Sequence, residues 1–203
     1  MEWAVVILAA GAGSRLGGKA KALLELGGST FLETIVLRTT DANVRDFTVV
    51  VGAPHETAVV QEASLFDSLR VVRNPDTARG MASSVALGFQ ALLEEASPTI
   101  EAAFLWPVDI PLVSASTLTA LQVGLIDHEV ARPRFQGKGG HPPLVGRSVW
   151  PKLAKCDLVQ GGARAVLASC HMAEIDVPDA GILRSIDTPE DLATLARDVQ
   201  ARR

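Results

Sequence analysis

Residues 3–24, which read WAVVILAAGAGSRLGGKAKALL, decide the fold that we expect for this chain. The stretch opens with a continuous apolar run over residues 3–9, and glycines follow the run almost at once. This order predicts a buried strand that ends in a tight loop. The run is too short to span a membrane, for which about 20 apolar residues are needed. Because it also lacks a basic segment at its start, we expect a strand and not a signal peptide.

The first two-thirds of the chain alternates apolar runs with helical patterns. Three more strands are expected over residues 47–52, 69–73 and 102–106, and helices over residues 30–40, 54–65, 82–95 and 116–126. Buried strands separated by amphipathic helices are typical of a mostly parallel sheet that is covered on both faces. Ligands bind such sheets beyond the carboxyl ends of the strands, so the loops after the first, third and fourth strands are where we expect the chemistry.

The pattern changes in the last third. Strands are expected over residues 128–135, 141–145 and 172–177, with a loop over residues 136–140, a short helix after Gly162 and a final helix from Thr188. Thr188 is a suitable N-cap, and Pro189 suits the first helical turn. We predict a single α/β domain over residues 1–203, a Rossmann-like three-layer sandwich. Its mostly parallel sheet would carry a β-hairpin or antiparallel insertion in the C-terminal third.

The composition excludes several classes of protein. The chain has 203 residues, of which 48% are hydrophobic and 21% charged, enough for one compact core. A formal net charge of −4 offers no basic surface to nucleic acid or to an anionic membrane, so we expect neither partner. Two cysteines, Cys156 and Cys170, are too few for a disulfide framework or a zinc site, which fits a cytoplasmic protein.

Two well-known phosphate-binding motifs fail in the glycine-rich loop. A dinucleotide fingerprint needs G-x-G-x-x-G, but after Gly11 and Gly13 the last position is Leu16. A P-loop needs G-x-x-x-x-G-K followed by serine or threonine. The residue after Lys19 is Ala20, which lacks the hydroxyl that would bind magnesium. Neither a Rossmann dinucleotide site nor an NTP-hydrolysing P-loop protein is therefore favoured.

A third interpretation fits the loop better. Glycines at 11 and 13 allow the backbone to approach phosphates closely, and a run of backbone N–H groups can form an anion-binding nest. Arg15 and a lysine downstream could then neutralise the β- and γ-phosphates. A plain turn from strand to helix would not need four glycines, an arginine and two lysines.

The run over residues 8–28 resembles the signature of the MobA-like NTP transferases, and within that family most of all the molybdenum cofactor cytidylyltransferases. The family pattern reads LAAG-x-S-x-R-M-G, then a short gap and K-x-L-L. Here Gly13 takes the usual place of the serine, and Leu16 replaces the common methionine. Lys21, which precedes Ala-Leu-Leu, matches the family lysine, so Lys19 is expected to be an additional solvated charge.

The resemblance continues along nearly the whole chain. The matching segments are Asn74-Pro75 with residues 80–88 (base reading), residues 109–113 (metal binding), Gly140-His141-Pro142, residues 161–164 and residues 186–192. Each segment alone is modest, but their order and spacing together are specific.

The resemblance implies that a nucleotidyl group is transferred from an NTP to a phosphate-bearing acceptor, with release of pyrophosphate and with Mg²⁺ as cofactor. It makes Arg15, Lys21 and Asp109 the candidate catalytic residues, and Asp109 and Asp187 the metal ligands. The candidate nucleotide-binding residues are Leu8, Ala9, Ala10, Gly11, Gly13, Ser14, Arg15, Lys21, Asn74, Gly80, Ser83 and Ser84. The candidate acceptor-binding residues are His141 and Arg164. Residues 1–110 would bind nucleotide and metal, and residues 111–203 the acceptor.

The resemblance also suggests the two substrates. Ala10 matches the family members that use CTP, and its methyl group would restrict the pocket in favour of a pyrimidine. The acceptor would then be molybdopterin. Residues 106–108 replace the more usual polar approach to Asp109, so a sugar phosphate or another phosphorylated metabolite stays open as acceptor. A non-catalytic chaperone that carries the molybdenum cofactor and contacts a molybdoenzyme transiently is also open.

Each candidate residue has a simpler structural alternative. These are a turn cap for Asp109, a loop cap for Asp187, a lock on its own turn for His141, an N-cap for Ser83 or Ser84, and a solvated charge for Arg164. Ser185 stands where the family often has an acid, which lowers the charge available to a metal. The remaining histidines, His55, His128 and His171, are not part of any cluster in the sequence and are expected to be surface or structural residues.

Overall fold

The computed structural model describes residues 2–200. Its strands are β1 (Glu2–Leu8), β2 (Glu25–Leu26), β3 (Ser29–Thr30), β4 (Val44–Gly52), β5 (Leu69–Asn74), β6 (Ile100–Pro107), β7 (Val130–Phe135), β8 (Lys138–Gly139), β9 (Leu144–Gly146) and β10 (Met172–Asp176). Its α-helices are α1 (Phe31–Asp41), α2 (Glu56–Ala63), α3 (Met81–Glu95), α4 (Ala115–Gly124), α5 (Trp150–Leu153), α6 (Gly162–Ala168) and α7 (Pro189–Gln200). Every predicted strand and helix has a counterpart, with ends displaced by a few residues.

The strands form one large sheet in the order β10-β7-β9-β6-β1-β4-β5, with β8 paired to β7, while β2 and β3 form a separate hairpin. The pairs β1–β4, β1–β6, β4–β5 and β7–β10 are parallel. Strand β9 runs antiparallel to both of its neighbours, β6 and β7. The predicted mostly parallel α/β sheet with an antiparallel insertion in the last third is therefore confirmed.

The alternation of side chains along β1 divides the core into two layers. Trp3, Val5 and Ile7 face one cluster, which includes residues of α1, α2 and α4. The intervening residues of the strand face a second cluster, to which α3, α5 and α6 contribute. Both faces of the sheet are thus covered by helices, which is why β1 carries apolar residues at almost every position.

Local chemistry explains several element ends. Thr30 caps α1 by accepting a hydrogen bond from Glu33 N at 3.0 Å. Thr188 Oγ1 accepts from Asp191 N at 3.2 Å, while Asp191 Oδ2 accepts from Thr188 N at 2.9 Å, so the predicted cap of α7 is confirmed. One boundary differs: β9 begins at Leu144 and not at residue 141, because Pro142 and Pro143 have no N–H group to donate to a neighbouring strand.

The chain connects β1 to strands on both of its sides. The chain passes from β1 to β4 and β5 on one side and then returns to β6 on the other side. This reversal opens a crevice at the carboxyl ends of β1 and β6, the usual ligand site of such sheets. Among the described residues, no helix has the length and apolar character that crossing a membrane would require.

Candidate active site

The loop after β1 needs glycine at one position above all. Gly13 has a φ of 61°, and a Cβ there would overlap with the carbonyl oxygen of Lys19. The oxygen of Gly13 accepts hydrogen bonds from Leu16 N at 2.9 Å and from Gly18 N at 3.0 Å. The loop is therefore closed on itself by backbone hydrogen bonds around a left-handed residue that only glycine can occupy without strain.

The loop carries backbone hydrogen-bond donors that have no partner within residues 2–200. The backbone N–H groups of Gly11, Ala12 and Gly13 form no hydrogen bond with any residue in the described part of the chain. All three residues line a cavity of about 380 Å³ at the carboxyl ends of β1 and β6. Because backbone N–H groups are strong donors that usually find a partner, this group can bind an anion.

Opposite charges meet at the floor of the cavity. Lys21 Nζ lies 2.8 Å from Asp109 Oδ2 and 2.5 Å from Asp187 Oδ1, although these aspartates lie 88 and 166 positions further along the chain. Two backbone hydrogen bonds hold the aspartates in place. Val108 N donates to Leu8 O at 3.1 Å, which ties the end of β6 to β1, and Ile186 N donates to Asp109 O at 2.8 Å.

The three groups of this cluster stabilise one another's charged forms. Burial lowers the pKa of Lys21, but hydrogen bonds to Asp109 and Asp187 outweigh burial, so the pKa is raised above its ordinary value. The hydrogen bond from Lys21 holds the pKa of Asp187 below its ordinary value, helped by Ser185 and by the charge of Arg15. Ser185 Oγ donates to Asp187 Oδ2 at 2.6 Å. Lys21 and Asp187 are therefore both ionised at neutral pH.

Most of the residues predicted to bind the nucleotide line the same cavity. The whole of residues 8–15 lines it, with Lys21, Asp109 and Asp187. Gly80 and Ser84, at the start of α3, lie on another part of its wall. The structure thus brings together residues that the sequence separates by more than 170 positions.

Two predicted nucleotide-binding residues, Asn74 and Ser83, lie outside the cavity lining. Asn74 Nδ2 donates to Ser83 Oγ and to Ser84 Oγ, each at 2.9 Å, and all three residues are buried. Asn74 Oδ1 also accepts from Asp76 N at 3.0 Å. Asn74 therefore joins the end of β5 to the first turn of α3, and of these three side chains only Ser84 reaches the cavity.

The predicted acceptor residues also lie outside the cavity lining. His141 is anchored by its backbone N–H, which donates to Ile182 O at 2.9 Å. Crowding by protein atoms lowers the pKa of His141 and Arg132 adds to this, whereas the charge of Asp109 acts to raise it, so its ring is neutral at pH 7. Arg164 is exposed on α6, whose first residue, Gly162, packs against Ala82 of α3.

The structure adds residues that the sequence did not single out. Thr77 lines the cavity, as do Met81, Pro107 and Val108, which lie in segments that the sequence pattern had marked. His55 Nε2 lies 3.1 Å from Ala12 O, at the tip of the glycine loop. The position of His55, just after the carboxyl end of a strand next to β1, is the signal that would have pointed to it.

The donor atoms at the floor suit a cation that phosphates help to hold. Within the described residues no group of three or more histidine, cysteine or acidic side chains is arranged to hold a metal ion. Asp109 and Asp187 nevertheless converge on one cationic nitrogen. Mg²⁺ is commonly bound through one or two carboxylates together with water and substrate phosphates. Two converging carboxylates therefore fit Mg²⁺ that arrives with a polyphosphate, and do not fit a closed protein cage.

Comparison with known proteins agrees with this geometry. Residues 5–175 match the model of the MobA-like NTP transferase domain. The chain belongs to the MobA-like NTP transferase family. It is similar to the nicotine blue oxidoreductase of Paenarthrobacter nicotinovorans, with 30% identity over 203 residues and 94% of each chain covered. It is also similar to the molybdenum cofactor cytidylyltransferase of Escherichia coli (strain K12), with 25% identity over 189 residues and 93% of each chain covered.

A solved structure has the same fold. Rv0371c from Mycobacterium tuberculosis H37Rv superposes with a TM-score of 0.80 at 25% identity, over 97% of this chain and 98% of that one. A complex of Rv0371c with manganese superposes with a TM-score of 0.74 at 23% identity, over 97% and 99% of the two chains. The predicted family is thus confirmed. The protein is a nucleotidyltransferase of the MobA-like family, related to enzymes of molybdenum cofactor biosynthesis.

Proposed function

We propose that this protein transfers CMP from CTP to the phosphate of molybdopterin and releases pyrophosphate. The observation that carries the proposal is the meeting of Lys21, Asp109 and Asp187 at the floor of a cavity whose rim is the glycine loop. One side of the cavity offers cationic and N–H groups for a triphosphate. The other offers carboxylates for the metal that accompanies it.

The triphosphate has a complete set of partners in this cavity. The N–H groups of residues 11–13 face its oxygens, and Arg15 and Lys21 neutralise its charge. The first turn of α3, with Gly80 and Ser84, lies where backbone and hydroxyl groups can contact the base. The cavity of about 380 Å³ falls within the range of small-molecule sites, which is roughly 300–1,000 Å³.

Mg²⁺ would be held by Asp109 and Asp187. When bound, it would offset negative charge on the triphosphate during transfer. Lys21 Nζ already lies between the two carboxylates, and its hydrogen bond holds the pKa of Asp187 below its ordinary value. The floor of the site therefore holds two carboxylates side by side before any substrate binds, and a manganese complex exists for a protein of the same fold.

The chemistry requires little beyond positioning and charge neutralisation. A phosphate oxygen of the acceptor attacks the α-phosphorus of CTP, a new P–O bond forms, and the bond to the β-phosphate oxygen breaks to release pyrophosphate. A phosphate monoester is already an anion at neutral pH, so no strong general base is needed. The site lowers the barrier by alignment and by the charges of Arg15, Lys21 and the loop N–H groups.

The preference for CTP rests on Ala10. Ala10 lines the cavity, and its methyl group lies close to Gly52, where an added Cβ would be only 3.2 Å away. A side chain at position 10 therefore narrows this wall, which favours the smaller pyrimidine ring. A sugar phosphate or another phosphorylated metabolite is the alternative acceptor, and a carrier that binds the molybdenum cofactor without catalysis is the alternative role.

One relative favours a second candidate function, the transfer of electrons. The protein that is 30% identical is named an oxidoreductase, and its match covers 94% of this chain. The two cysteines of this chain are poor redox groups, because burial raises the pKa of Cys156 to about 11 and also raises the pKa of Cys170. An electron-transfer function would therefore require a separate electron donor.

The test is a screen for pyrophosphate release from the four NTPs, with and without purified molybdopterin. We expect release with CTP only when molybdopterin is present. Lys21→Ala should remove most of this activity, by about 10²–10³-fold, while Lys19→Ala, the matched control on the same loop, should retain it. Pyrophosphate release that requires a sugar phosphate in place of molybdopterin would identify the sugar phosphate as the acceptor. Absence of pyrophosphate with every NTP and acceptor, together with oxidation of a reduced nicotinamide or flavin, would replace the proposal with the second candidate.

A further inference from the structure

His55 reaches the glycine loop from the neighbouring strand. It follows β4, which pairs in parallel with β1 between Val44 and Val50, and it immediately precedes α2. Its Nε2 lies 3.1 Å from the carbonyl oxygen of Ala12. Because a carbonyl oxygen only accepts hydrogen bonds, Nε2 must carry the proton in this contact. The sequence pattern alone predicts that His55 is a surface or structural residue.

This contact orients one peptide group of the loop. A trans peptide is planar, and its C=O and N–H groups point to opposite sides. Ala12 and Gly13 line the cavity, whereas His55 does not. The carbonyl of Ala12 therefore points out of the cavity toward His55, and the N–H of Gly13, which has no partner among the described residues, points the other way.

The peptide needs such a restraint because glycine follows it. Gly13 has access to both signs of φ, so the peptide between Ala12 and Gly13 can rotate at little steric cost. With the carbonyl rotated inward, its oxygen would repel a polyphosphate. A fixed donor on the outer side of the loop favours the orientation that an anion requires.

We propose that His55 is a positioning residue, which holds the peptide between Ala12 and Gly13 so that the Gly13 N–H faces an oxygen of the bound polyphosphate. The proposal rests on the proposed function, since CTP supplies that polyphosphate. His55 itself does not contact the substrate. The effect of this side chain depends on an N–H donor at the position of Nε2. A carboxamide at a similar distance should therefore replace the imidazole.

Three variants test this role: His55→Ala removes the donor, His55→Gln keeps an N–H donor, and His128→Ala removes a histidine that stacks on His171 elsewhere. The probes are CTP and inorganic tripolyphosphate, whose dissociation constants are measured by calorimetry. For His55→Ala we expect both constants to rise by about 5–10-fold, the effect of one net hydrogen bond. The KM for CTP should rise with them while kcat changes less. His55→Gln should restore the constants to within about twofold of the wild type.

Several results would overturn the inference. Unchanged dissociation constants in His55→Ala would do so, and so would a His55→Gln variant as weak as His55→Ala. An equal loss in His128→Ala would mean that the effect is not specific to the loop. If the wild type binds tripolyphosphate without forming product from any NTP, the proposed function fails, and the ratio of affinities between His55→Ala and wild type still decides the role of His55. A wild type that binds neither probe would contradict both.

Discussion

The proposed nucleotide side and the proposed acceptor side of the molecule are built in different ways. On the nucleotide side, Lys21 contacts two aspartates that are distant in sequence, and the backbone N–H groups of residues 11–13 have no hydrogen-bond partner within residues 2–200. On the acceptor side, the charged residues of β7 and β10 are paired with one another across the strands. Arg132 contacts Glu174, and Arg134 lies 2.7 Å from Asp176.

This difference indicates which half is organised before substrate binds. The nucleotide side holds its donors and charges in place through backbone hydrogen bonds at the ends of β1 and β6. The acceptor side satisfies most of its charges internally, and His141 and Arg164 lie outside the cavity lining. We therefore expect substitutions on the nucleotide side to have larger effects than those on the acceptor side.

The largest effect is expected at Asp109. Asp109→Asn removes a carboxylate that contacts Lys21 and would bind the metal, so turnover should fall by about 10²–10³-fold in a protein that remains folded. Pyrophosphate release and circular dichroism measure the two properties. Asp67→Asn, at an exposed position on the surface, is the control. Normal turnover by a folded Asp109→Asn protein would show that the Asp109 carboxylate has no catalytic role.

The next effect concerns the loop itself. Gly17→Ala should reduce the free energy of unfolding by about 1–2 kcal/mol, because Gly17 has a φ of 68° but space for a methyl group. Gly13→Ala should reduce it by more, because its Cβ would also overlap with the Lys19 carbonyl. Urea denaturation of the free protein gives both values. An equal reduction of the free energy of unfolding in the two variants would show that the loop shifts to accommodate a methyl group at position 13.

A smaller effect is expected on the acceptor side. His141→Ala should raise the KM for the acceptor by about 5–10-fold, the equivalent of one hydrogen bond, and leave the KM for CTP unchanged. Arg164→Ala should raise it less, because Arg164 is exposed on α6. Steady-state kinetics with each substrate varied in turn separates the two. An increase in the KM for CTP in either variant would mean that the two sides are not separate.

The smallest effect is expected on the pH dependence of the free energy of unfolding. The pKa of Asp187 is lower in the folded protein, so its stabilising contribution is present above the ordinary value near 3.8 and is lost as the pH falls through the lowered folded value. The pKa of Lys21 is raised, so its contribution is present below about 10.5 and is lost at higher pH. Urea denaturation of wild type and Asp187→Asn should therefore differ more at pH 7 than at pH 2. The same difference in the free energy of unfolding at pH 7 and at pH 2 would contradict a stabilising ion pair between Lys21 and Asp187.

The sequence was sufficient for features that depend on neighbouring residues. The apolar run before the glycines predicted β1, the spacing of the loop excluded two other phosphate motifs, and Thr188 with Pro189 predicted the start of α7. Strand β9 begins later than the sequence pattern predicts, because the two prolines after His141 have no N–H group to donate to a neighbouring strand. Family resemblance singled out Lys21, Asp109 and Asp187 individually, but not their contact.

Tertiary structure decided which of these residues meet. The contact of Lys21 with Asp109 and Asp187 depends on the order of β6, β1 and β4, since strand order sets which loops share an edge of the sheet. The same order brings His55 to the loop and leaves Asn74 beneath the start of α3. A glycine's backbone freedom is a local property that the sequence carries by itself. The partner of a side chain is not a local property, because it depends on contacts between segments that lie far apart in the chain.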